Sequence, residues 1–249
     1  MELTILHLFP DFMSLYGEYA NVVVLRRCLE NLGVKVTVRT VTCEDTPDFQ
    51  SVDMIYMGAG TERKQKLALE KLLPTADALK SAVKENALLL FTGSAMEILG
   101  ASITDASGKD SPGLGLADFT TAETGNRTPC DVVAVSALWD SSAPIVGFMN
   151  KCSTTHGITT PLCKELSLGF GNETEHGPEG CVSGNIFATH ITGPVLVKNP
   201  QFLNFITMRL FQQKNWDLPQ SLAPLPHQQE AYAVTVQELK ARTGNSAHV

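Results

Sequence analysis

Apolar and polar residues alternate at the start of the chain in a way that predicts a strand, a helix and a second strand. Leu3–Phe9 is a short apolar run, Asn21–Leu32 places apolar residues at helical spacing, and Val34–Val41 alternates apolar with polar positions. Asn21 is predicted as the N-cap of the helix and Gly33 as the residue just after its end. These segments predict a βαβ unit with two parallel strands in one sheet.

The next segments continue the alternation of strands and helices. Asp53–Met57 predicts a third strand, Lys64–Asn86 predicts helix with an interruption near Pro74, and Ala87–Phe91 predicts a fully buried strand. Strands that alternate with helices in this way are typical of a parallel sheet covered by helices.

Three loops follow the predicted parallel strands. They are Phe9–Asp11, Gly58–Glu62 and Thr92–Ser94. Because ligand sites of open α/β sheets lie beyond the carboxyl ends of the strands, we expect these loops to meet at one rim of the sheet. The rim is therefore the predicted place of the functional site.

The third loop has the pattern of an elbow that presents a nucleophile in many α/β hydrolytic folds. It joins a buried strand to the short helix-forming run that ends at Gly100. The central residue of such an elbow is held in a strained backbone conformation, which glycine adopts without cost. Here the central residue is Gly93, so the elbow lacks the side chain that would carry the chemistry.

The second half of the chain has shorter apolar segments. Ile103–Gly115 is rich in Gly, Ser and Asp and predicts an exposed loop. Three strands and two helices are then predicted, at Asp131–Val135, Ile145–Phe148, Asn185–Ile191, Asn199–Gln213 and Gln228–Arg242, with a proline-rich spacer at Pro219–Pro226 and a frayed end at Thr243–Val249. We therefore predict one α/β domain with a mostly parallel central sheet over residues 1–214. A spacer and a C-terminal helix are predicted over residues 215–249.

Composition and charge exclude several classes of protein. A net charge of −7 argues against a general nucleic-acid binder. No apolar run approaches the roughly 20 residues of a membrane span, and the N-terminus has no basic segment of a secretory signal. The 6 cysteines among 249 residues are too sparse for a disulfide scaffold. A cytoplasmic protein without membrane insertion is the expectation.

Six motifs follow one another along the chain: HLFPDFMSLYGEYANVVVLRR, MGAGTERKQ, TGSAMEILG, GFMN, GFGNETEHGPEG and ATHITGPVLVKNP. In this order they resemble the glutaminase subunit of lipid II isoglutaminyl synthases, which is a class I glutamine amidotransferase of the cobyric acid synthase type. The resemblance implies a single class I glutamine-amidotransferase-like, flavodoxin-like domain. It also implies a partner, because the family's glutaminase works beside a Mur-ligase-like, ATP-dependent subunit that receives the ammonia.

The resemblance also shows where this chain departs from the family. The family elbow is Cys-Gly-Gly-x-Gln-x-Leu-Gly, and its base lies in a Tyr-x-His-Gly-Pro run. Here Gly93 stands at the cysteine, Glu97 at the glutamine and Thr192 at the histidine. Acyl transfer from an amide needs a nucleophile with a base in reach, so we expect ordinary glutaminase activity to be absent.

The same resemblance implies that this chain retains part of the family's substrate site. Arg127 matches the arginine that contacts the substrate glutamine, and Gly58 and Gly60 belong to the glycine loop at the site. A guanidinium suits a fixed carboxylate because it can bind both oxygens. The alternative is that Arg127 is an ordinary surface arginine in a turn.

Other groups near the elbow offer alternative chemistry. Thr92 and Ser94 carry hydroxyls, but Thr92 also fits the end of a strand and Ser94 a helix cap. His190 is a candidate base, yet it would lie about 7 Å from Thr192 along a strand, so a structural histidine fits as well. Cys152 is a candidate relocated thiol. A zinc site is not predicted, because five nearby Cys and His residues lack a Cys-x-x-Cys pair: Cys152, His156, Cys163, His176 and Cys181.

Three functions remain open from the sequence. The first is a non-catalytic amidotransferase-like subunit that docks a Mur-ligase-like partner and needs no cofactor. The second is an active glutamine amidohydrolase that uses displaced groups. The third is a sensor that binds glutamine or a related amino acid through Arg127 without reacting.

Overall fold

The structure, a computed structural model, describes residues 1–139, 143–219, 225 and 227–245. In these residues strands and helices alternate at first, and strands dominate the middle of the chain. The elements are β1 (Glu2–Leu8), α1 (Ala20–Asn31), β2 (Lys35–Val41), β3 (Met54–Met57), α2 (Glu62–Leu72), α3 (Ala76–Lys84), β4 (Leu88–Thr92), β5 (Ser102–Thr104), β6 (Asp110–Pro112), β7 (Thr120–Ser136), β8 (Ile145–His156), β9 (Cys163–Leu168), β10 (Cys181–Ser183), β11 (Ile186–Thr189), α4 (Val195–Lys198), α5 (Pro200–Gln213) and α6 (Gln228–Asn245). Short 3-10 helices occupy Leu15–Gly17, Leu73–Thr75 and Gly93–Leu99.

A six-stranded, mostly parallel sheet forms the centre of the fold. Its strand order is β10-β11-β4-β3-β1-β2. The pairs β1–β2, β1–β3, β3–β4 and β4–β11 are parallel, and β10 runs antiparallel to β11 at the edge. Apolar side chains of α1, α4 and α5 cover one face, and those of α2 and α3 cover the other. The α/β class and the parallel central sheet predicted from the sequence are confirmed.

A second sheet was not predicted. It has the order β6-β5-β7-β8, with β9 paired to β7. The prediction of an exposed loop at Ile103–Gly115 was wrong, because β5 and β6 lie in this segment. The strands predicted at Asp131–Val135 and Ile145–Phe148 are parts of a 17-residue β7 and a 12-residue β8. The first half of β7 is largely exposed, so cross-strand hydrogen bonds rather than an apolar pattern hold it in the sheet.

Two of the predicted helix boundaries are confirmed and one is wrong. The break near Pro74 is a 3-10 turn between α2 and α3, and Gly33 follows α1 with a positive φ of 78°. Asn21 does not cap α1, which begins one residue earlier. Asn21 is buried and instead donates to the Tyr56 hydroxyl at 2.8 Å and accepts from the Leu196 amide at 2.8 Å.

The C-terminal helix packs against the second sheet. Tyr232 of α6 contacts Val133 and Val146, and its hydroxyl donates to the Pro144 carbonyl at 2.7 Å. Most of the predicted spacer Pro219–Pro226 and the end of Thr243–Val249 lie outside the described residues. The division of the chain at residue 214 therefore stays a prediction. None of the helices in the described ranges is both long and apolar enough to cross a membrane.

Candidate functional site

The loops after β1, β3 and β4 meet at one rim of the central sheet, as the sequence predicts. The Leu15 amide donates to the Ala59 carbonyl at 2.8 Å, which joins the first loop to the second. The second and third loops are joined through Ser94. Its hydroxyl accepts from the Gly60 amide at 3.0 Å and donates to the Gly60 carbonyl at 2.9 Å.

A cavity of about 230 Å³ opens between these loops and strands β7 and β8. It brings together eight of the residues singled out in the sequence: Gly60, Gly93, Ser94, Glu97, Arg127, Cys152, His190 and Thr192. A larger, open cleft of about 680 Å³ lies near the amino ends of β3 and β4 and contains none of these residues.

Gly58 and Thr92 lie behind the cavity wall rather than on it. A Cβ atom at Gly58 would come within 2.6 Å of the Glu18 Cβ, so close packing of the loops requires glycine there. Thr92 is fully buried and donates its hydroxyl to the Glu18 carboxylate. Neither residue is placed to touch a ligand in the cavity.

Gly93 forms the tight elbow, with a positive φ of 62°. A Cβ atom there would lie 2.5 Å from the Ala59 Cβ and 2.8 Å from the Thr192 Cγ2, distances that side chains do not tolerate. Ala59 is the middle residue of Gly58-Ala59-Gly60. The space that a nucleophile's Cβ would need is therefore filled by the Ala59 methyl group.

Thr192, at the family's base position, is a structural residue in this chain. Its hydroxyl donates to the Phe148 carbonyl at 2.9 Å, and its backbone pairs with the same residue. Its methyl group faces Gly93. Thr192 ties the loop after β11 to β8, and a neutral hydroxyl is too weak a base to take a proton from a nucleophile.

The alternative nucleophiles are all engaged elsewhere. Ser94 does not cap the turn that follows, contrary to prediction, because its hydroxyl is used on both sides by Gly60. The Cys152 thiol donates to the Glu62 carboxylate at 3.2 Å. Burial and the neighbouring Glu62 carboxylate raise the pKa of Cys152 to about 11, so its thiol is protonated at neutral pH.

His190 lies between two buried carboxylates. Its Nε2 is 3.6 Å from Glu97 and its Nδ1 is 3.5 Å from Glu179, and neither nitrogen has a hydrogen-bond partner in the described residues. His190 is 2% exposed. Because both ring nitrogens face carboxylates, no nitrogen is left for a nucleophile. Among the candidates singled out in the sequence, neither Ser94, Cys152 nor Thr192 has a hydrogen bond to His190 in the part of the chain that the structure describes.

Glu97 is the better connected of the two carboxylates. It accepts from the Ser153 hydroxyl and the Gln65 side-chain amide, both at 2.5 Å. Burial acts to raise the pKa of Glu97, but the nearby imidazole of His190 and the hydrogen bonds from Ser153 and Gln65 hold the pKa below its usual value. A buried cluster of one histidine and two carboxylates thus lies beside the cavity.

Glu18 is a buried acidic residue that the sequence analysis did not single out. Its carboxylate accepts from the Gly193 amide at 2.9 Å, from Tyr56 at 3.2 Å and from Thr92, which links the first loop to the elbow and to the loop after β11. Burial raises its pKa to about 7 despite these hydrogen bonds. The only sequence signal was its place inside the first motif, HLFPDFMSLYGEYAN.

The pH dependence of stability should show two opposing groups, Glu18 and His7. Burial lowers the pKa of His7 to about 4. Its contribution to the stability of the folded chain is therefore complete above pH 6.5 and is lost as the pH falls to about 4. Glu18 has the opposite sign, because its contribution is complete below pH 4.5 and is lost as the pH rises to about 7. Each shift corresponds to about 3 kcal/mol of unfolding free energy.

These two contributions offset one another between pH 4.5 and 6.5 in the natural chain. When the pH falls from 6.5 to 4.5, we expect the free energy of unfolding of Glu18→Gln to drop by about 3 kcal/mol more than that of the natural chain. Over the same fall in pH, the free energy of unfolding of His7→Leu should rise. Urea unfolding at several pH values measures both. Parallel pH profiles for the three proteins would contradict the assignment.

Arg127 is held at the mouth of the cavity by the second sheet. The β7–β8 register shifts between Glu123 and Thr128, which places Arg127 in an irregular part of the ladder. Its guanidinium donates to the Glu62 carboxylate at 2.5 Å and to the Asn150 side chain at 3.3 Å. Asn150 in turn donates to the Tyr16 hydroxyl at 2.8 Å. Arg127 is thus a fixed cation on the cavity wall.

Sequence comparison identifies the class of protein to which this fold and rim site belong. The profile of the CobB/CobQ-like glutamine amidotransferase domain matches residues 4–200. The chain therefore belongs to the CobB/CobQ-like glutamine amidotransferase family, which confirms the resemblance seen in the motifs. A solved glutamine amidotransferase structure has the same fold, with a TM-score of 0.50 at 13% identity over 84% of this chain and 98% of that one.

Two curated relatives are similar over most of their length. The chain is 30% identical over 213 residues to lipid II isoglutaminyl synthase (glutamine-hydrolyzing) subunit GatD of Staphylococcus aureus (strain N315), which covers 86% of each chain. It is 28% identical over 201 residues to the subunit of the same name from Streptococcus pneumoniae (strain ATCC BAA-255 / R6), over 80% of this chain and 76% of that one.

Proposed function

We propose that this chain is an amidotransferase-like subunit of a lipid II isoglutaminyl synthase that lacks glutaminase activity of its own. In this role it assembles with a Mur-ligase-like, ATP-dependent subunit and has a structural or regulatory effect on that partner. The similarity to two subunits of such enzymes supports the kind of assembly. A cytoplasmic location follows as a prediction, because ATP-dependent ligation uses a cytoplasmic cosubstrate.

The observation that carries the proposal is the Gly93 elbow. The position of the nucleophile has no side chain, and the Ala59 methyl group fills the space beside it. The hydroxyls of the candidate replacements Thr92 and Ser94 donate hydrogen bonds to Glu18 and Gly60, and the Cys152 thiol is protonated. Removing a nucleophile and its base together typically costs about six orders of magnitude in rate.

The direct test is ammonia release from glutamine by the purified chain. We expect no release above the uncatalysed rate, both alone and together with a co-purified ligase subunit, because amide attack needs a nucleophile. An active glutaminase of the same fold serves as the positive control in the same assay. Enzymatic release by this chain would establish the displaced-catalysis alternative, and substitutions at Ser94, Cys152 and His190 would then locate its groups.

The cavity favours a second candidate function, the binding of glutamine or a related amino acid without reaction. Its wall carries Arg127 at one side and the loop of Gly60 and Ser94 at another. Saturable glutamine binding that is lost in Arg127→Ala would support this function. A subunit of this kind would report amino-acid supply to its ligase partner.

The docking surface is a narrower proposal. The apolar residues Phe202, Ile206 and Leu210 of α5 are buried in the core and offer no surface to a partner. In α6, Tyr232 and Leu239 are also buried, and Val234 is exposed. We propose that the exposed face of α6 around Val234 contributes to the contact with the ligase.

A further inference from the structure

Tyr16 lies at the mouth of the cavity and bridges two of its walls. It belongs to the short 3-10 turn Leu15–Gly17 that follows β1, and it lines the cavity. Its hydroxyl accepts from the Asn150 side chain of β8 at 2.8 Å, and its ring packs edge-on against Phe148 with 5.6 Å between the ring centroids. Because Tyr16 is also 41% exposed, it stands where the cavity meets solvent.

The turn that carries Tyr16 is anchored at both ends. The Leu15 amide donates to the Ala59 carbonyl at 2.8 Å, and the Ser14 hydroxyl accepts from the Tyr19 amide at 2.9 Å. Glu18 is fully buried. These anchors fix the ends of the turn, so the hydrogen bond to Asn150 and the ring contact with Phe148 decide where the Tyr16 side chain lies.

The backbone of the turn is strained and has room to move. Tyr16 has a positive φ of 64°, a conformation that costs free energy for a residue with a side chain. Gly17 has a φ of 77°, and a Cβ atom there would meet nothing within 4 Å. The contacts with β8 therefore hold Tyr16 in a conformation that it does not favour by itself, beside open space.

The partner of Tyr16 is held in a fixed orientation. Arg127 Nη1 donates to the Asn150 Oδ1 atom at 3.3 Å, and this contact leaves the Asn150 Nδ2 atom to donate to Tyr16. The tyrosine therefore closes against a side chain whose position is set by the cavity wall.

We propose that Tyr16 is a gate that closes this cavity and opens to admit a small molecule. In the closed state its hydroxyl is bound to Asn150 and its ring lies against Phe148. In the open state both contacts are broken, and the ring swings away from β8 while the anchored ends of the turn stay in place. The gate goes beyond the proposed function, because it controls access to the cavity whether or not a molecule reacts there.

Thiol labelling measures how often the gate is open. Thr192 is 2% exposed on the cavity wall, so Thr192→Cys places a thiol inside the cavity, and Cys152 is a natural thiol on the same wall. Cys163 is 0% exposed and reports unfolding. Cys43 follows β2 and does not line the cavity, so it reports the reactivity of the reagent. Labelling with N-ethylmaleimide, read by mass spectrometry, gives a separate rate for each thiol.

The gate predicts a graded response to substitutions of Tyr16 in the Thr192→Cys chain. Tyr16→Ala removes the hydrogen bond and the ring contact and should raise the labelling rate at position 192 about tenfold or more. Tyr16→Phe keeps the ring contact and should raise the rate about threefold. Tyr19→Ala is the matched control, because Tyr19 is 56% exposed and does not line the cavity, and it should leave the rate unchanged. The rates at Cys43 and Cys163 should stay the same in all variants.

Three results would overturn the gate. They are an unchanged rate at position 192 in Tyr16→Ala, an equal rise in Tyr19→Ala, and a rise at Cys163 in step with position 192, which would mean that the whole chain opens. Should Thr192→Cys by itself expose Cys163 to the reagent, the same comparison is made at Cys152 with Thr192 intact. An unchanged rate at Cys152 in Tyr16→Ala would then overturn the gate.

Discussion

The Gly93→Cys/Thr192→His double variant is expected to release no ammonia from glutamine, whereas addition of Ala59→Gly is expected to produce measurable release. In the double variant the new Cβ at position 93 would lie 2.5 Å from the Ala59 Cβ. Such overpacking costs about 1–3 kcal/mol and displaces the elbow, on top of the strain of a side chain at positive φ. Replacing Ala59 by glycine removes the closest of these contacts.

Ammonia release and thermal unfolding of four proteins measure this effect: the natural chain, Ala59→Gly, the double variant and the triple variant. We expect the triple variant to exceed the double variant at least about a hundredfold in rate and to be more stable, since nucleophile and base act only when correctly placed. Ala59→Gly alone controls for the loop and should stay silent. Equal activity of the double and triple variants would show that Ala59 does not block the site.

His190→Ala is expected to lower the free energy of unfolding by about 3–5 kcal/mol, because it removes a buried imidazole that lies between two buried carboxylates and leaves a cavity in its place. Glu97 and Glu179 lie 3.6 and 3.5 Å from the imidazole. Denaturant unfolding near neutral pH measures the loss. The double variant His190→Ala/Glu97→Gln should recover part of it, since one of the stranded charges is then removed.

A second histidine provides the control for burial. His156 pairs with Glu173 at 2.9 Å, but their side chains are 46% and 52% exposed. His156→Ala should therefore cost less than about 1 kcal/mol. Similar losses for His156→Ala and His190→Ala would mean that the buried cluster contributes no more than a surface pair, which would contradict the assignment.

The central sheet was predictable because its strands are short apolar runs separated by helix patterns. Ala87–Phe91 is the clearest case, and the observed strand Leu88–Thr92 is buried throughout. The second sheet was not predictable in this way. Residues 120–131 are mostly polar, so the pairing of this segment with β8 depends on backbone hydrogen bonds that no side-chain pattern records.

The parts of the site that lie in recognisable motifs were predictable from the sequence. The parts that depend on contacts between distant segments were not. The elbow pattern located Gly93, and the family resemblance located Arg127. Contacts between distant segments, such as that of Glu18 with Thr92 or of Ala59 with Gly93, depend on how the loops pack. A single glutamate or alanine carries no sequence signal of such a neighbour, because burial of a charge is set by the tertiary structure.

The packing of Ala59 against Gly93 has a consequence for how substitutions at the two positions combine. Cysteine introduced at position 93 alone meets the Ala59 methyl group, and glycine introduced at position 59 alone adds no reactive group. Under the proposed function, a gain of glutamine hydrolysis therefore requires changes at both positions, together with a base at position 192. Neither change alone gives an advantage on which the other could build.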